Sequence, residues 1–166
     1  MNPSTRWRRP LLTLHIAAST SVLGAALVLL ALAVTGLRSP DPQTVYPAIS
    51  IVESWLIAPL AIIALATGLA QALRNGWGLT RYWWPAVKLA ITAVLTALVL
   101  FVLGPALTSA ADAATQGALG DAQRVRIAVF PAIACALLLV NVGLGVYKPD
   151  RRLRSRAGAA ATTGIT

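Results

Sequence analysis

His15, in the stretch "LLTLHIAASTSVLG", is the only histidine of the chain. It lies inside a long apolar run, where an ionisable side chain marks either a functional site or a hydrogen-bonded contact between helices. One histidine cannot supply both axial ligands of a b-type haem. Because the only methionine is Met1, such a haem would take His15 from two copies, across a homodimer. Copper shared between His15 and the lone Cys135 fails on depth, since at 1.5 Å per residue the two are separated by roughly 12 Å along the membrane normal. The same arithmetic brings Lys88 and Asn141 to the level of His15, with Gln71 nearby. These four define a polar layer that could serve as a pocket for a headgroup, a quinone or an anion. The plainer expectation is a lysine reaching toward the interface by its apolar stem, with a histidine and an asparagine bonding across helices.

Glu53 is the one acid within an apolar block. A carboxylate there is costly unless it is paired or wet. Arg126 immediately precedes the last apolar run and has a stem long enough to reach inward, so a structural Glu53–Arg126 ion pair is the expectation. A proton relay is the sharper alternative, but relays draw on several titratable groups and no second carboxylate lies in the apolar spans. Soluble-enzyme signatures are absent: there is no GxxxxGK[ST], no HExxH, no GxSxG and no carboxylate pair at catalytic spacing. No catalytic residue, metal site or cofactor is therefore expected.

The elements that must position these residues follow from composition. Of 166 residues, 57% are hydrophobic and 11% charged, which points to the bilayer as solvent. Four apolar blocks are long enough to span it: 11–37, 48–73, 85–107 and 127–147. The first is too long for the core of a cleaved signal peptide and ends in "RSPDP", so it reads as a retained helix. Pro59 lies within the second block as a kink that neighbouring helices can tolerate. Residues 1–10 form a basic N-terminus, and 150–166 a basic, low-complexity tail expected to be disordered. Small residues such as Gly68, Gly143 and Gly145 allow helices to approach closely.

The net charge of +9 would suggest nucleic acid in a soluble protein, but here the basic residues flank apolar blocks. In "GWGLTRYWWPAVKLA", Trp77, Tyr82, Trp83 and Trp84 stand between a basic loop and an apolar span, where an aromatic belt anchors a helix at the headgroups. Eleven lysines and arginines flank the blocks on the side of the N-terminus, against Arg38, Arg124 and Arg126 on the other. Both termini are therefore expected in the cytoplasm.

Taken in order, "LH" early in the first block with "LGAAL" downstream, "LATGL", "WGLTRYWWPAVKL" and "VGLGVYKP" resemble a group of short actinobacterial four-helix membrane proteins of unknown function, over about residues 11–149. That group is distantly similar to copper-resistance D-like membrane proteins, which also carry a histidine early in a helix. The only position this resemblance implies as a copper ligand is His15. The expectation is an all-α integral membrane four-helix bundle of the plasma membrane, up-down-up-down, without catalysis, acting as a structural or helper component. Two alternatives stand beside it: a haem or copper protein using His15, and a small transport subunit. The bilayer is the expected partner, with a second copy or another membrane protein as the remaining partner class and no nucleic acid.

Overall fold

The computed structural model describes residues 7–74 and 83–147, and among these it is helical with no strand. Four helices are long and apolar enough to cross a membrane. Helix α1 is Arg8–Arg38. Helix α2 runs from Pro42 to Arg74, α3 from Trp83 to Thr115, and α4 is Asp121–Tyr147. At 31 residues, α1 is about 46 Å long and exceeds about 30 Å of hydrocarbon, so its ends reach the headgroup zones.

Three helices begin or end beyond the apolar blocks of the sequence, for local reasons. Pro42 occupies the first turn of α2, where a missing N–H leaves no helical bond unmade. Thr44 Oγ1 donates to Asp41 Oδ2 at 2.6 Å just before it. The segment "TSAADAAT" continues α3 to Thr115 because alanine is the best helix former, whatever its polarity suggests. Gly117, at φ 69°, then closes α3. The Ala118 N–H donates to Ala113 O at 2.8 Å and the Gly117 N–H to Ala114 O at 3.1 Å, the paired bonds that end a helix on a left-handed glycine. Asp121 opens α4, where a negative charge suits the helix dipole.

Two of the helices are interrupted by π-turns. In α2 the turn is Glu53–Ile57 and in α3 it is Val99–Leu103. Each is followed by a small residue and then a proline: Ala58-Pro59 and Gly104-Pro105. A proline cannot donate to the carbonyl four residues earlier and its ring crowds that carbonyl. A widened turn just before it relieves the crowding.

The helices form a ring in which α1 packs on α2 and α4, α2 on α3, and α3 on α4. Successive helices are antiparallel, so the bundle has a near end, where α1 starts and α4 finishes, and a far end holding the connections 39–41 and 116–120. The packed core lies in the far half and includes Leu29, Tyr46, Ile49, Leu107, Ala110 and Ile127. Gly36 makes room for the Tyr46 ring, since a Cβ there would lie 3.2 Å from its Cζ and Oη. Outside this core the surface is apolar, with Trp55 81% and Phe101 77% exposed at the level of the π-turns. Such a surface is at home only against lipid.

Candidate functional site

The near half holds a partly open cavity of about 700 Å³ lined by residues of all four helices. Its polar side chains include His15 from α1, Gln71 from α2, Lys88, Thr92 and Thr96 from α3, and Asn141 from α4. The four residues of the layer read from the sequence thus share one cavity. Toward the far half its walls turn apolar, through Ala26, Leu29, Ile57, Val99 and Leu103.

Each polar side chain has a definite seat. His15 Nδ1 lies 3.1 Å from Ala64 O and 3.1 Å from Thr67 Oγ1. A carbonyl can only accept, so the proton of the ring sits on Nδ1 and, in the neutral ring, Nε2 carries the free lone pair. The ring rests on Gly68, where a Cβ would come within 3.0 Å of His15 Cε1. Lys88 is seated the same way, with its Nζ 2.6 Å from the place a Cβ on Gly145 would occupy. Asn141 Nδ2 donates to Thr92 Oγ1 at 3.0 Å, and Thr92 Oγ1 in turn donates to Lys88 O at 2.9 Å. Thr96 Oγ1 donates to Thr92 O at 2.8 Å.

Two polar atoms of this layer are buried without a hydrogen-bond partner: Gln71 Nε2, a donor, and Asn141 Oδ1, an acceptor. Buried polar atoms are rarely left so, because each forgoes about 1–3 kcal/mol. The acids among the described residues are Asp41, Glu53, Asp112 and Asp121, all in the far half, so none is near the Lys88 ammonium. The arrangement can offer a positive charge, an amide donor, an amide acceptor and an imidazole to a polar group placed at the near end. An apolar space continues behind it.

Glu53 and Arg126 are not brought together. Glu53 is 3% exposed and its carboxylate meets Ser54 Oγ at 3.3 Å, while Arg126 is exposed. The reason is the added length of α2. Because that helix begins at Pro42, Glu53 lies eleven residues from its far end, about 16 Å in, whereas Arg126 is five residues into α4, about 8 Å in. Of the aromatic belt, Trp77 and Tyr82 lie outside the described residues, as do the tail 150–166 and the first residues of the N-terminus; Trp83 and Trp84 open α3.

Thr67, Thr92 and Thr96 were not singled out by the sequence reading. Their signal is spacing: Lys88, Thr92 and Thr96 recur every four residues, as do Gly68 and Ala64, and such residues share a helix face. Mid-helix threonines that bond back one turn are easily taken as neutral filler.

The fold and this site define a polytopic α-helical membrane protein with an intramembrane cavity. Residues 10–149 match the family model of predicted integral membrane protein (DUF2269), and the chain belongs to that family. Neither a curated protein nor a solved structure matches it.

Proposed function

We propose that this protein is a non-catalytic membrane component that binds an amphiphile, with the ligand's head at the His15–Gln71–Lys88–Asn141 layer and its chain in the apolar part of the cavity. One observation carries the reading: the side chains of His15, Gln71, Lys88 and Asn141 line a cavity whose far walls are apolar, and among the described residues Gln71 Nε2 and Asn141 Oδ1 have no hydrogen-bond partner. An ammonium with no acid beside it among the described residues favours an anionic or strongly accepting head. Asn141 Oδ1 favours a head that also carries a donor such as a hydroxyl. The charge asymmetry of the flanks supports a plasma-membrane orientation with the near end in the cytoplasm, so the head lies at the inner leaflet, where anionic lipids concentrate.

The likeness to actinobacterial and copper-resistance D-like proteins bears on His15 alone. Among the described residues no three His, Cys, Asp or Glu side chains gather as a metal set. Soft copper chemistry at one imidazole would therefore need ligands from a second chain.

Native mass spectrometry of the protein released directly from membranes tests the proposal. Wild type is expected to carry a lipid-sized adduct that Lys88→Met loses. Anionic phospholipid added to delipidated protein should raise its Tm more than zwitterionic phospholipid does. Wild type without an adduct, and with equal Tm in both lipids, would defeat the proposal.

A further inference from the structure

Glu53 has no part in that cavity. It stands in α2 one turn from Ile57, and Ile57, Val99 and Leu103 belong to the cavity's far walls. Its surroundings say which chemical form it takes. Ser54 Oγ lies 2.8 Å from Ser50 O and 3.3 Å from Glu53 Oε2. A hydroxyl carries one proton, and a carbonyl can only accept, so the shorter contact takes the Ser54 proton. What Ser54 then presents to Glu53 is a lone pair. At 3.3 Å the Glu53–Ser54 contact is longer than an O–H···O hydrogen bond, so no strong donor stands beside the carboxyl to stabilise an ionised form. On the other side, the carboxyl lies against the bare Cα of Gly104, where a Cβ would sit 3.3 Å from both Oε1 and Oε2.

No charged group of the described residues compensates an ionised Glu53. Helix α1 carries none between His15 and Arg38, and α3 none between Lys88 and Asp112. On α4, Asp121, Arg124 and Arg126 lie toward the far end, the nearer arginine about 9 Å beyond the level of Glu53. Tyr46, on α2 itself, is two turns away toward the same end. An ionised carboxylate in this setting would be strongly disfavoured.

The place is also where the backbone is least regular. Glu53 begins one π-turn, and Gly104, which it touches, ends the other. Since Pro59 and Pro105 have no N–H, the carbonyls of Trp55 and Phe101 receive no bond from four residues on. Turns of this kind occur frequently at functional sites.

The geometry points to Glu53 as an intramembrane proton-binding site: a neutral carboxylic acid, buried against Gly104, that exchanges its proton with water in the cavity one turn away. In release, the O–H bond at Glu53 breaks, its electron pair stays on the carboxylate and the proton passes to a water molecule. Uptake is the reverse, and no electron is transferred between groups. Release places a negative charge where the two π-turns meet, and these irregular turns are placed to yield to it. This inference needs water at the cavity's far walls, so it describes the protein when the apolar part of the cavity is not occupied by an amphiphile's chain.

Glu53 is the only glutamate of the chain, which permits a test on the unaltered sequence. Protein made by cell-free synthesis with side-chain 13C-glutamate, and reconstituted in phospholipid bilayers, is compared with unlabelled protein by infrared spectroscopy at neutral pH. The expected isotope-sensitive band is the C=O stretch of a protonated carboxylic acid, and it should move when H2O is replaced by D2O. An isotope effect found in the carboxylate stretches would overturn the neutral form. An acid band unmoved after a day in D2O would overturn the exchange.

Discussion

The two halves of the bundle use the same four helices and much the same residues, yet only one is filled. In the far half, Ala33, Ala110, Ala114 and Ala128 bring helices into contact around Leu29, Tyr46, Ile49 and Leu107. In the near half, Ala64, Gly68, Ala134 and Gly145 border a cavity, and two of them, Gly68 and Gly145, lie beneath the polar side chains of His15 and Lys88. Small residues in a membrane helix therefore have two uses. They let helices close on one another, or they seat a long polar side chain from the neighbouring helix and leave space beside it. Water exclusion does not force the second half to close, because lipid already surrounds it. What an unfilled half forgoes is van der Waals contact, and a ligand can restore that.

The largest contrast should come from truncation. Ile49→Ala and Leu107→Ala, at 0% and 1% exposure, should each cost about 2–4 kcal/mol of unfolding free energy in detergent. Leu95→Ala and Leu138→Ala, which border the cavity, should each cost less than about 1 kcal/mol, because space already adjoins them. Equal losses in the two halves would erase the distinction.

Next come two glycines whose distances mislead if read alone. A Cβ on Gly36 would meet the Tyr46 ring at 3.2 Å, and one on Gly145 would meet Lys88 Nζ at 2.6 Å. The ring is 1% exposed and wedged in the core, whereas the ammonium ends a flexible stem beside a cavity. Gly36→Ala should therefore cost about 1–3 kcal/mol by overpacking. Gly145→Ala should leave Tm nearly unchanged while weakening whatever Lys88 holds.

A smaller effect belongs to the polar layer itself. Thr92→Val removes the acceptor of Asn141 Nδ2, and a hydrogen bond between membrane helices contributes about 0.6 kcal/mol on average. A double-mutant cycle of Thr92→Val with Asn141→Leu should return coupling of that size. Smallest of all should be Glu53→Gln. The amide is uncharged, like the protonated acid, and nearly the same size, so unfolding should shift by no more than about 0.5 kcal/mol. Arg126→Gln should add nothing to it, whereas an ion pair would make both substitutions costly and coupled.

Hydropathy made the four spans legible, because every helix interior is apolar enough to satisfy a bilayer. The near polar layer was legible as well: His15, Lys88 and Asn141 share a level once the rise per residue is counted from the near end, where the helix starts were nearly right. The far end failed by the same arithmetic. The second apolar block starts at 48 whereas α2 begins at Pro42, and the third ends at 107 whereas "TSAADAAT" extends α3, so Glu53 was placed too shallow and given Arg126 as a partner. The π-turns had a signal, a small residue followed by proline after a wide apolar stretch, but that signal alone reads as an ordinary kink. The cavity had none, since empty space depends on which small residues face one another, and pairing across helices is not written in any one segment.

Filling each half with one indole distinguishes a ligand-binding cavity in the near half from a closed core in the far half. Ala134→Trp places the ring in the cavity wall, and Ala110→Trp places it in the core, where Ala110 is 0% exposed. Thermal unfolding in detergent, followed by native mass spectrometry of the folded material, reads both. Ala134→Trp should fold with a Tm within about 4 °C of wild type, a change of no more than about 1 kcal/mol, and lose the bound adduct, while Ala110→Trp should fail to give a cooperative transition. Equal destabilisation of the two variants, or an Ala134→Trp protein that keeps its adduct, would contradict that distinction.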